Sequence, residues 1–400
     1  MSDRIGLVLG ATGITGNALV RHLSISGWTV LAASRRAVQP AKENVIPLSI
    51  DLTDKAAIYD ALLSYHITHV FFAAYSTPFN SSISLDFRTV RRMVKTLGFA
   101  TPVIDRFPPL ASMFYTELAR RGLAYDPEQT NLKMLRNVVE VTLARPHDLT
   151  HVALVTGGKM YGMHLTPHIY KQWTQPFREH DARPPGPNFY FEQEDYLHDV
   201  FARSGVTWSV VRPSYLIGDN PNAAFNVLIG LAVYASVLKA GGYPLIFPGD
   251  EQAANCLLEM SDADLVAELM EWSSVTPSAH NQAFNAVNGK SLSWSEIWPS
   301  IAEFFGMKDD MNPQNFSART VIRESDNLWN ELVKIHQLED IPLSKLVDES
   351  FFEVLLMPDW NTEYSMDKAR RFGFTREVDT AEMFRRHFQR LRDRRIIPPA

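Results

Sequence analysis

Three glycines spaced three residues apart lie near the start of the chain, in the run Gly10-Ala11-Thr12-Gly13-Ile14-Thr15-Gly16. An apolar run, residues 5–9, precedes them, and a helix-like stretch, residues 17–24, follows. Such glycines allow a tight turn, close approach of a pyrophosphate to the backbone, and close packing of the helix on the strand. The N–H groups at the helix start attract anions. The pattern predicts a dinucleotide site, although any strand–turn–helix could carry such glycines.

Two arginines follow the second apolar run, which ends at Ser34. In a dinucleotide-binding sheet the end of the second strand faces the adenosine ribose, where a carboxylate would bind the 2′-hydroxyl of NAD. Arg35 and Arg36 stand there instead, and guanidinium groups suit a 2′-phosphate because they donate paired hydrogen bonds. We therefore expect NADPH as the cofactor, a solvated surface pair being the alternative.

Further cofactor contacts are expected where later strands end. Asp51 and Leu52 would contact the adenine, although Asp51 or Thr53 could instead cap the next helix. The loop at 214–225 would run beside the nicotinamide. The residues expected to contact the cofactor are Gly10, Thr12, Gly13, Ile14, Gly16, Ser34, Arg35, Arg36, Asp51, Leu52, Ala73, Ala74, Tyr75, Thr156, Lys159, Tyr190, Pro213, Leu216, Ala223 and Ala224.

A tyrosine and a lysine that could act on a substrate lie far apart in the sequence. The one tyrosine with a lysine four residues on is Tyr364, followed by Lys368, and this pair lies near the C-terminus, far in sequence from the strand ends expected to hold the cofactor. Lys159 directly follows a strand, and Tyr190 begins a helix. Either the chain is not a catalyst, or two separate elements supply the two roles. Tyr161 is a competing acid, although a Tyr-Gly pair here is more often structural.

Buried strands alternate with helices, which predicts an α/β fold with a Rossmann-type, doubly wound parallel sheet. The glycine spacing is typical of the extended short-chain dehydrogenase/reductase class. We expect residues 1–218 to form the NADP-binding domain, with an insert at about 76–129 and a strand at 283–289 returning to the sheet. Residues 219–282 and 290–400 would form a smaller, mainly helical substrate-binding part.

Composition narrows the function classes. The chain carries a formal charge of −6 and has no basic tract, which argues against nucleic acid as a binding partner. Cys256 is the single cysteine, and no signal peptide fits the N-terminus, so we expect a cytoplasmic protein. The apolar run 225–238 is shorter than the ~20 residues that a membrane span needs. His164 and His168 flank Pro167 without a carboxylate nearby, and we predict no metal site.

Several motifs together resemble the progesterone 5β-reductase/iridoid synthase-like family of atypical short-chain reductases, over nearly the whole chain. The Asn-Phe-Tyr block with the separated lysine is the most specific part. The motifs are Gly-Ala-Thr-Gly-Ile-Thr-Gly at 10–16, Ser-Arg-Arg at 34–36, Thr-His-Val-Phe-Phe at 68–72, Thr-Gly-Gly-Lys-Met-Tyr-Gly at 156–162, Asn-Phe-Tyr-Phe at 188–191 with Glu194-Asp195, Trp-Ser-Val-Val-Arg-Pro at 208–213, Ser-Asp-Ala-Asp-Leu at 261–265 and Ala-Phe-Asn-Ala-Val-Asn-Gly at 283–289.

The resemblance implies NADPH-dependent reduction of a carbon–carbon double bond conjugated to a carbonyl. Lys159 and Tyr190 would be catalytic, with Tyr190 donating to the substrate oxygen and Lys159 holding the ribose and lowering the tyrosine pKa. Tyr161 and Phe352 would contact the substrate. Two other functions remain open. One is reduction of the carbonyl group itself by Tyr190 and Lys159, and the other is a cofactor-binding regulator that catalyses no reaction.

The chain departs from the family at two places. Phe191 stands where a second tyrosine is common, and the link 76–129 is longer than in the family. We expect part of this insert to cover the mouth of the active site, or alternatively to mediate self-association as a homodimer. The aromatic C-terminal part suggests a hydrophobic small-molecule substrate, such as one of secondary metabolism.

Overall fold

The computed structural model describes residues 4–35, 42–76, 100–121, 124–126, 128–145, 148–223, 226–311 and 316–400. The strands, in chain order, are β1 (Ile5–Leu9), β2 (Thr29–Ser34), β3 (Val45–Ser49), β4 (His69–Phe72), β5 (His151–Val155), β6 (Thr207–Pro213), β7 (Tyr215–Ile217), β8 (Leu245–Ile246), β9 (Met260–Asp262), β10 (Gln282–Ala286) and β11 (Asp309–Asp310).

The described α-helices range from one turn to almost four turns. They are α1 (Ile14–Ile25), α2 (Lys55–Leu62), α3 (Thr101–Ile104), α4 (Pro108–Arg121), α5 (Thr130–Leu143), α6 (Thr166–Ile169), α7 (Phe189–Phe201), α8 (Val227–Ala240), α9 (Glu251–Asn255), α10 (Ala263–Val275), α11 (Trp294–Phe305), α12 (Ala318–Arg323), α13 (Asp326–His336), α14 (Leu343–Leu346), α15 (Glu349–Leu355), α16 (Asp367–Arg371) and α17 (Thr380–Asp393). Two 3-10 helices span Gly158–Tyr161 and Pro277–Ala279.

The chain divides into two compact units. The first, called the sheet unit, comprises residues 1–213, 266–286 and 365–375. The second, called the helical unit, comprises residues 214–265, 287–364 and 376–400. Residues 266–282 and 365–375, which the sequence assigned to the substrate-binding part, therefore group with the sheet. One reason is that Glu271 on α10 accepts hydrogen bonds from the indole of Trp28 and from Ser26.

Seven parallel strands form the sheet, in the order β10-β6-β5-β4-β1-β2-β3. Their middle residues are almost all apolar and buried because helices cover both faces of a parallel sheet. On one face of the sheet, apolar side chains of the strands pack against apolar side chains of the helices. The strand residues are Leu7, Leu9, Leu31, Val70, Phe72, Val152, Leu154 and Val210, and the helix residues are Ile58, Leu62, Leu135, Val138, Val139, Leu197 and Phe201. This confirms the predicted Rossmann-type fold and brings all carboxyl strand ends to one edge.

The helical unit is built around α8. Every residue from Val227 to Leu238 on this helix is buried, and the side chain of Asn226 caps its first turn. Helices α11, α12, α13, α15 and α17 surround it, together with the short parallel pairs β7–β9 and β8–β11. Among the described residues, no helix has both the length and the apolar character needed to cross a membrane.

A buried charge network holds the C-terminal helix α17 in the helical unit. His387 lies between Asp219 and Asp262, with its Nδ1 3.0 Å and its Nε2 2.8 Å from their carboxylate oxygens. Burial alone would lower the pKa of His387, but the hydrogen bonds with the two aspartates raise it above its ordinary value. Asp262 also pairs with Arg386, and Asp264 pairs with Arg390 at 2.8 Å. Cations of the chain thus already neutralise the carboxylates that could hold a metal.

Another buried histidine, His69, lies at the amino edge of the sheet, opposite the glycine turn. His69 begins β4, is 8% exposed, and packs edge-on against Trp28 with 4.8 Å between ring centroids. Burial and then the charge of Arg4 lower the pKa of His69 to about 4. The imidazole is therefore neutral in the folded protein at pH values where an unfolded chain would protonate it.

We predict that this neutral histidine makes the protein sensitive to acid. Stability is complete above the unfolded pKa of about 6.5 and falls as pH drops toward about 4, because only the unfolded chain takes up the proton. Replacement His69→Asn should reduce the difference in unfolding free energy between pH 7 and pH 5 by about 2 kcal/mol. Urea unfolding at both pH values measures this. The exposed His66 provides the control variant His66→Asn, and equal effects of the two would contradict the prediction.

Candidate active site

The glycine turn joins β1 to α1, and no side chain caps the start of the helix. Gly10 has a φ of +82°, and a Cβ there would lie 2.7 Å from the carbonyl oxygen of Ala73. A Cβ on Gly16 would overlap the carbonyl oxygen of Gly10. Gly13 is the N-cap residue of α1 without any side-chain cap, and a Cβ there would approach only Gly10 O, at 3.3 Å. The turn therefore fits a dinucleotide pyrophosphate lying against Gly13 and the first turn of the helix.

The ends of β2 and β3 lie at the same edge. Arg35 directly follows β2 and is exposed, whereas Arg36 lies outside the described residues. Asp51 accepts hydrogen bonds from the backbone and hydroxyl of Thr53, at 2.9 and 2.7 Å. Asp54, rather than Asp51 or Thr53, caps α2 by accepting from two backbone N–H groups. The side chain of Leu52 packs into the core beneath the sheet.

Lys159 stands where β5 ends, in the short 3-10 helix that follows the strand. Its ammonium lies 5.5 Å from the ring centroid of Tyr75 and 5.8 Å from that of Phe189. Burial lowers the pKa of Lys159 to about 8. The negative faces of the two aromatic rings favour the charged ammonium, so a cation persists at neutral pH at this strand end.

Tyr190 reaches the same strand end from the first turn of α7. A Cβ built on Gly157, two residues before Lys159, would lie 3.8 Å from the Tyr190 hydroxyl oxygen. Asn188 is the N-cap of α7, and its Oδ1 accepts from the backbone N–H of Tyr190 at 3.1 Å. Its Nδ2 donates to the carbonyl oxygen of Lys159 at 2.8 Å. Two elements 31 positions apart in sequence are thus joined at one edge of the sheet.

The pKa of Tyr190 is shifted in the direction opposite to the one that the sequence predicted. The sequence predicted that the charge of Lys159 would lower it, but burial raises the pKa of Tyr190 above its ordinary value. The hydroxyl is removed from water, and a buried phenolate would lose its hydration. Tyr190 is therefore a protonated phenol at neutral pH, which is the form that donates a hydrogen bond.

The other candidate acid, Tyr161, is part of a buried polar network. Its hydroxyl donates to Asn285 Oδ1 at 2.5 Å and accepts from Arg212 at 3.2 Å. Arg212 on β6 also pairs with Glu194 on α7, donating from Nε at 3.1 Å and from Nη2 at 2.8 Å. The Tyr161 hydroxyl is thus engaged by the protein, which agrees with a structural role for the Tyr-Gly pair, and its contact with a substrate stays a prediction.

The described part of the insert lies beside these elements. The backbone N–H of Phe189, at the start of α7, donates to Ala124 O at 3.1 Å. Tyr115 on α4 packs with Leu165 and Ile169, which follow the Lys159 turn. The described insert is therefore attached to the segments that carry Lys159 and Tyr190. Residues 77–99 of the insert lie outside the described residues, and its covering of the mouth stays a prediction.

Comparison with known proteins matches residues 112–398 to the family described as PRISE-like Rossmann-fold domain, and residues 6–95 to the NAD dependent epimerase/dehydratase family. The chain belongs to the PRISE-like Rossmann-fold family. The (S)-8-oxocitronellyl enol synthase of Catharanthus roseus is 28% identical, covering 98% of this chain and 92% of that protein. The 3-oxo-Delta(4,5)-steroid 5-beta-reductase of Arabidopsis thaliana is 29% identical, covering 93% and 87%. The predicted family resemblance is confirmed.

The fold also matches solved structures of the wider superfamily. The UDP-glucose 4-epimerase of Thermus thermophilus, solved with NAD, has a TM-score of 0.58 at 17% identity, covering 96% of this chain and 99% of that one. The PRISE-like family membership and this fold identify the chain as an oxidoreductase with a nicotinamide cofactor. The glycine turn, where a Cβ on Gly13 would approach only Gly10 O, is consistent with that cofactor class.

Two buried polar groups in the sheet unit of this PRISE-like chain, the His164 ring and the Thr156 hydroxyl, were not predicted to be catalytic. Both ring nitrogens of His164 are buried and have no hydrogen-bond partner among the described residues. Burial and then the charge of Lys159 lower the pKa of His164 to about 3, so the ring is neutral. The buried Thr156 Oγ1, at the end of β5, is likewise without a described partner. The sequence singled out His164 only as a possible metal ligand, because no local pattern shows that the fold buries its ring beside Lys159.

The remaining predicted site residues are divided between the two units. Pro213 ends β6 in the sheet unit, and Leu216 and Ala223 belong to the helical unit; Ala224 lies outside the described residues. Phe352 is fully buried in the helical unit, with its ring against Gly230 and 5.8 Å from the Tyr234 ring. Its role in a substrate pocket stays a prediction. Phe191 packs under the Arg183 guanidinium, 4.8 Å away.

We predict that alanine at Gly13 lowers cofactor affinity, whereas alanine at Gly16 lowers stability. Gly13 has a φ of −82°, which alanine adopts, so Gly13→Ala should fold normally but weaken cofactor binding by on the order of tenfold, because the added methyl group would occupy the turn expected to hold the pyrophosphate. Gly16→Ala should lower the melting temperature because its Cβ overlaps Gly10 O. Calorimetric melting and cofactor titration measure the two effects, and cofactor affinity unchanged in Gly13→Ala would contradict the assignment.

Proposed function

We propose that the chain is an NADPH-dependent reductase of a hydrophobic α,β-unsaturated carbonyl compound. The observation that carries the proposal is the approach of the Tyr190 hydroxyl to the strand end bearing Lys159, 3.8 Å from the Cβ position of Gly157. A neutral hydrogen-bond donor and a buried cation thereby lie at the carboxyl edge of a parallel sheet, beside an open glycine turn. That edge is where ligands of doubly wound folds bind.

The proposed chemistry assigns a separate role to each residue. The nicotinamide cofactor supplies the hydride that adds to the β-carbon of the substrate. Electrons then move from the double bond to the carbonyl oxygen, and Tyr190 donates a hydrogen bond to that oxygen as negative charge develops. Such a donor stabilises the transition state more than the ground state. A proton from water then adds to the α-carbon.

Lys159 has a positioning and electrostatic role in this proposal. Its charge lies at the end of β5 between the rings of Tyr75 and Phe189, where it would hold the nicotinamide ribose. The positive charge also favours negative charge developing nearby, because the buried surroundings screen it weakly. Thr156 at the same strand end has a buried hydroxyl suited to the nicotinamide side of the cofactor.

Named relatives support the substrate class. A steroid 5-beta-reductase and an enol synthase from plants, at 29% and 28% identity, match this chain over almost its full length. At that identity they support a reductase of conjugated carbonyl compounds, but they do not name a substrate. Reduction of the carbonyl itself by the same residues is the alternative. The product distinguishes them, since a saturated ketone or aldehyde marks double-bond reduction and an allylic alcohol marks carbonyl reduction.

Cofactor choice gives one prediction. Because Arg35 is exposed at the end of β2, NADPH should bind more tightly than NADH. Replacement of both Arg35 and Arg36 by alanine should narrow the difference in binding free energy between NADPH and NADH by about 1.5–3 kcal/mol for each charged hydrogen bond lost. Titration by cofactor fluorescence measures both affinities. The control is Arg203→Ala, an exposed arginine between α7 and β6 at the opposite edge of the sheet. Equal affinities in the unmodified protein would disprove the NADPH assignment.

Removal of the tyrosine hydroxyl gives a second prediction. Tyr190→Phe should leave folding and cofactor affinity nearly unchanged while lowering kcat by on the order of ten- to a thousandfold, as for loss of one oxyanion donor. Steady-state kinetics with NADPH and a panel of cyclic and acyclic enones measure the loss. Tyr196→Phe is the matched control, because it deletes a hydroxyl from the same helix α7 without touching the strand end.

Two results would contradict the role of Tyr190. One is full turnover by Tyr190→Phe on a substrate that the unmodified protein reduces. The other is loss of turnover in Tyr161→Phe alone. Our expectation for Tyr161→Phe is lower stability, because it removes the hydroxyl that donates to Asn285 Oδ1 and accepts from Arg212 in the buried network.

A further inference from the structure

We infer that Asn188 is a positioning residue that holds Lys159 and Tyr190 in their working arrangement. This inference rests on the proposed function. Its basis is one buried amide that makes hydrogen bonds with the backbones of both residues.

The two bonds use opposite ends of the same side chain. Asn188 Oδ1 accepts from the backbone N–H of Tyr190 at 3.1 Å, and Nδ2 donates to the carbonyl oxygen of Lys159 at 2.8 Å. The residue is only 2% exposed, so water competes little for either bond. Both contacts go to the main chain, and they therefore fix the points from which the catalytic side chains extend.

The arrangement supplies a constraint that the sequence otherwise lacks. On a helix, a tyrosine and a lysine four residues apart lie on one face because of the helical repeat. Here Lys159 belongs to the 3-10 helix after β5 and Tyr190 to the first turn of α7. Nothing in the local sequence fixes their separation, whereas the Asn188 amide joins the two backbones directly.

Capping alone does not account for the choice of asparagine. Serine, threonine, aspartate and asparagine all accept a backbone N–H at a helix N-cap. Among these residues, only asparagine also carries an N–H donor of its own with this reach. Neighbouring bonds already satisfy the rest of the turn, because Phe189 N donates to Ala124 O and Phe191 N donates to Asn188 O at 2.9 Å. The Nδ2 donor to Lys159 is thus the part of Asn188 that capping does not require.

Three substitutions separate the cap from the bridge. Asn188→Ser and Asn188→Asp both keep an acceptor for α7 but lack the donor to Lys159 O, whereas Asn188→Ala removes both. We expect all three to lower kcat by about tenfold or more, with KM changed much less. We expect only Asn188→Ala to lose several degrees of melting temperature. Asp379→Ala, which removes an exposed cap from α17, is the control for cap loss without change in kcat.

A second measurement does not depend on turnover. A displaced Lys159 should hold the cofactor less well, so the Kd for NADPH should rise several-fold in the serine and aspartate variants. A crystal structure of Asn188→Ser should show the Lys159 and Tyr190 backbones farther apart than in the unmodified protein. Melting temperature, cofactor Kd and kcat are measured for every variant on the same preparation.

Each outcome decides the inference. Low kcat and raised Kd in the serine and aspartate variants, at nearly normal melting temperature, support the bridge. Normal kcat and Kd in either variant overturn it, because a cap would then suffice. If none of the three variants folds, Asn188 is needed for folding and the positioning role is also overturned. If the unmodified protein reduces no enone, the proposed function fails, while the Kd and the crystal structure still test the bridge.

Discussion

The buried ion pair of Arg212 and Glu194 is the interaction on which the arrangement of the site depends. It joins β6 to α7 through two hydrogen bonds, and Arg212 also donates to the Tyr161 hydroxyl, two residues beyond Lys159. Tyr161 in turn donates to Asn285 on β10. Loss of one partner would leave a charge without compensation in the interior, which typically costs about 3–5 kcal/mol. Helix α7 and the Lys159 turn are therefore fixed to the sheet by a network that tolerates little displacement.

The sequence predicts the parts of this structure that local patterns encode. The apolar runs and the glycine turn correctly predicted β1, α1 and the parallel sheet, because periodicity and turn chemistry are short-range properties. Tyr190 at a helix start and Lys159 after a strand were predicted on the same basis. The partners of these residues were not, since Asn188 meets Lys159 across 29 positions and Tyr161 meets Asn285 across 124. Such contacts are set by the folded chain, and no local spacing indicates them.

Local competition explains the differences in detail. The sequence offered Asp51 or Thr53 as the cap of α2, but Asp54, the residue next to the helix, accepts from it while Asp51 holds Thr53. Leu52 packs inward because the core beside α5 offers it more apolar surface than the edge does. Likewise, the sequence could not show that the Tyr161 hydroxyl has buried partners, because Arg212 and Asn285 are distant from it in sequence.

The electrostatics of the site suit Tyr190 to donating a hydrogen bond rather than to removing a proton. A tyrosine that begins the oxidation of an alcohol must act as a base, and this requires a cation that lowers its pKa into the neutral range. At Tyr190 burial raises the pKa instead, while the Lys159 ammonium lies against the rings of Tyr75 and Phe189. A phenol that keeps its proton is a poor base and a good hydrogen-bond donor. The same desolvation strengthens its hydrogen bond to an oxygen on which charge is developing, because the surrounding medium screens that charge weakly. The burial that makes Tyr190 unsuited to removing a proton is thus what suits it to donating a hydrogen bond to an oxygen that gains negative charge.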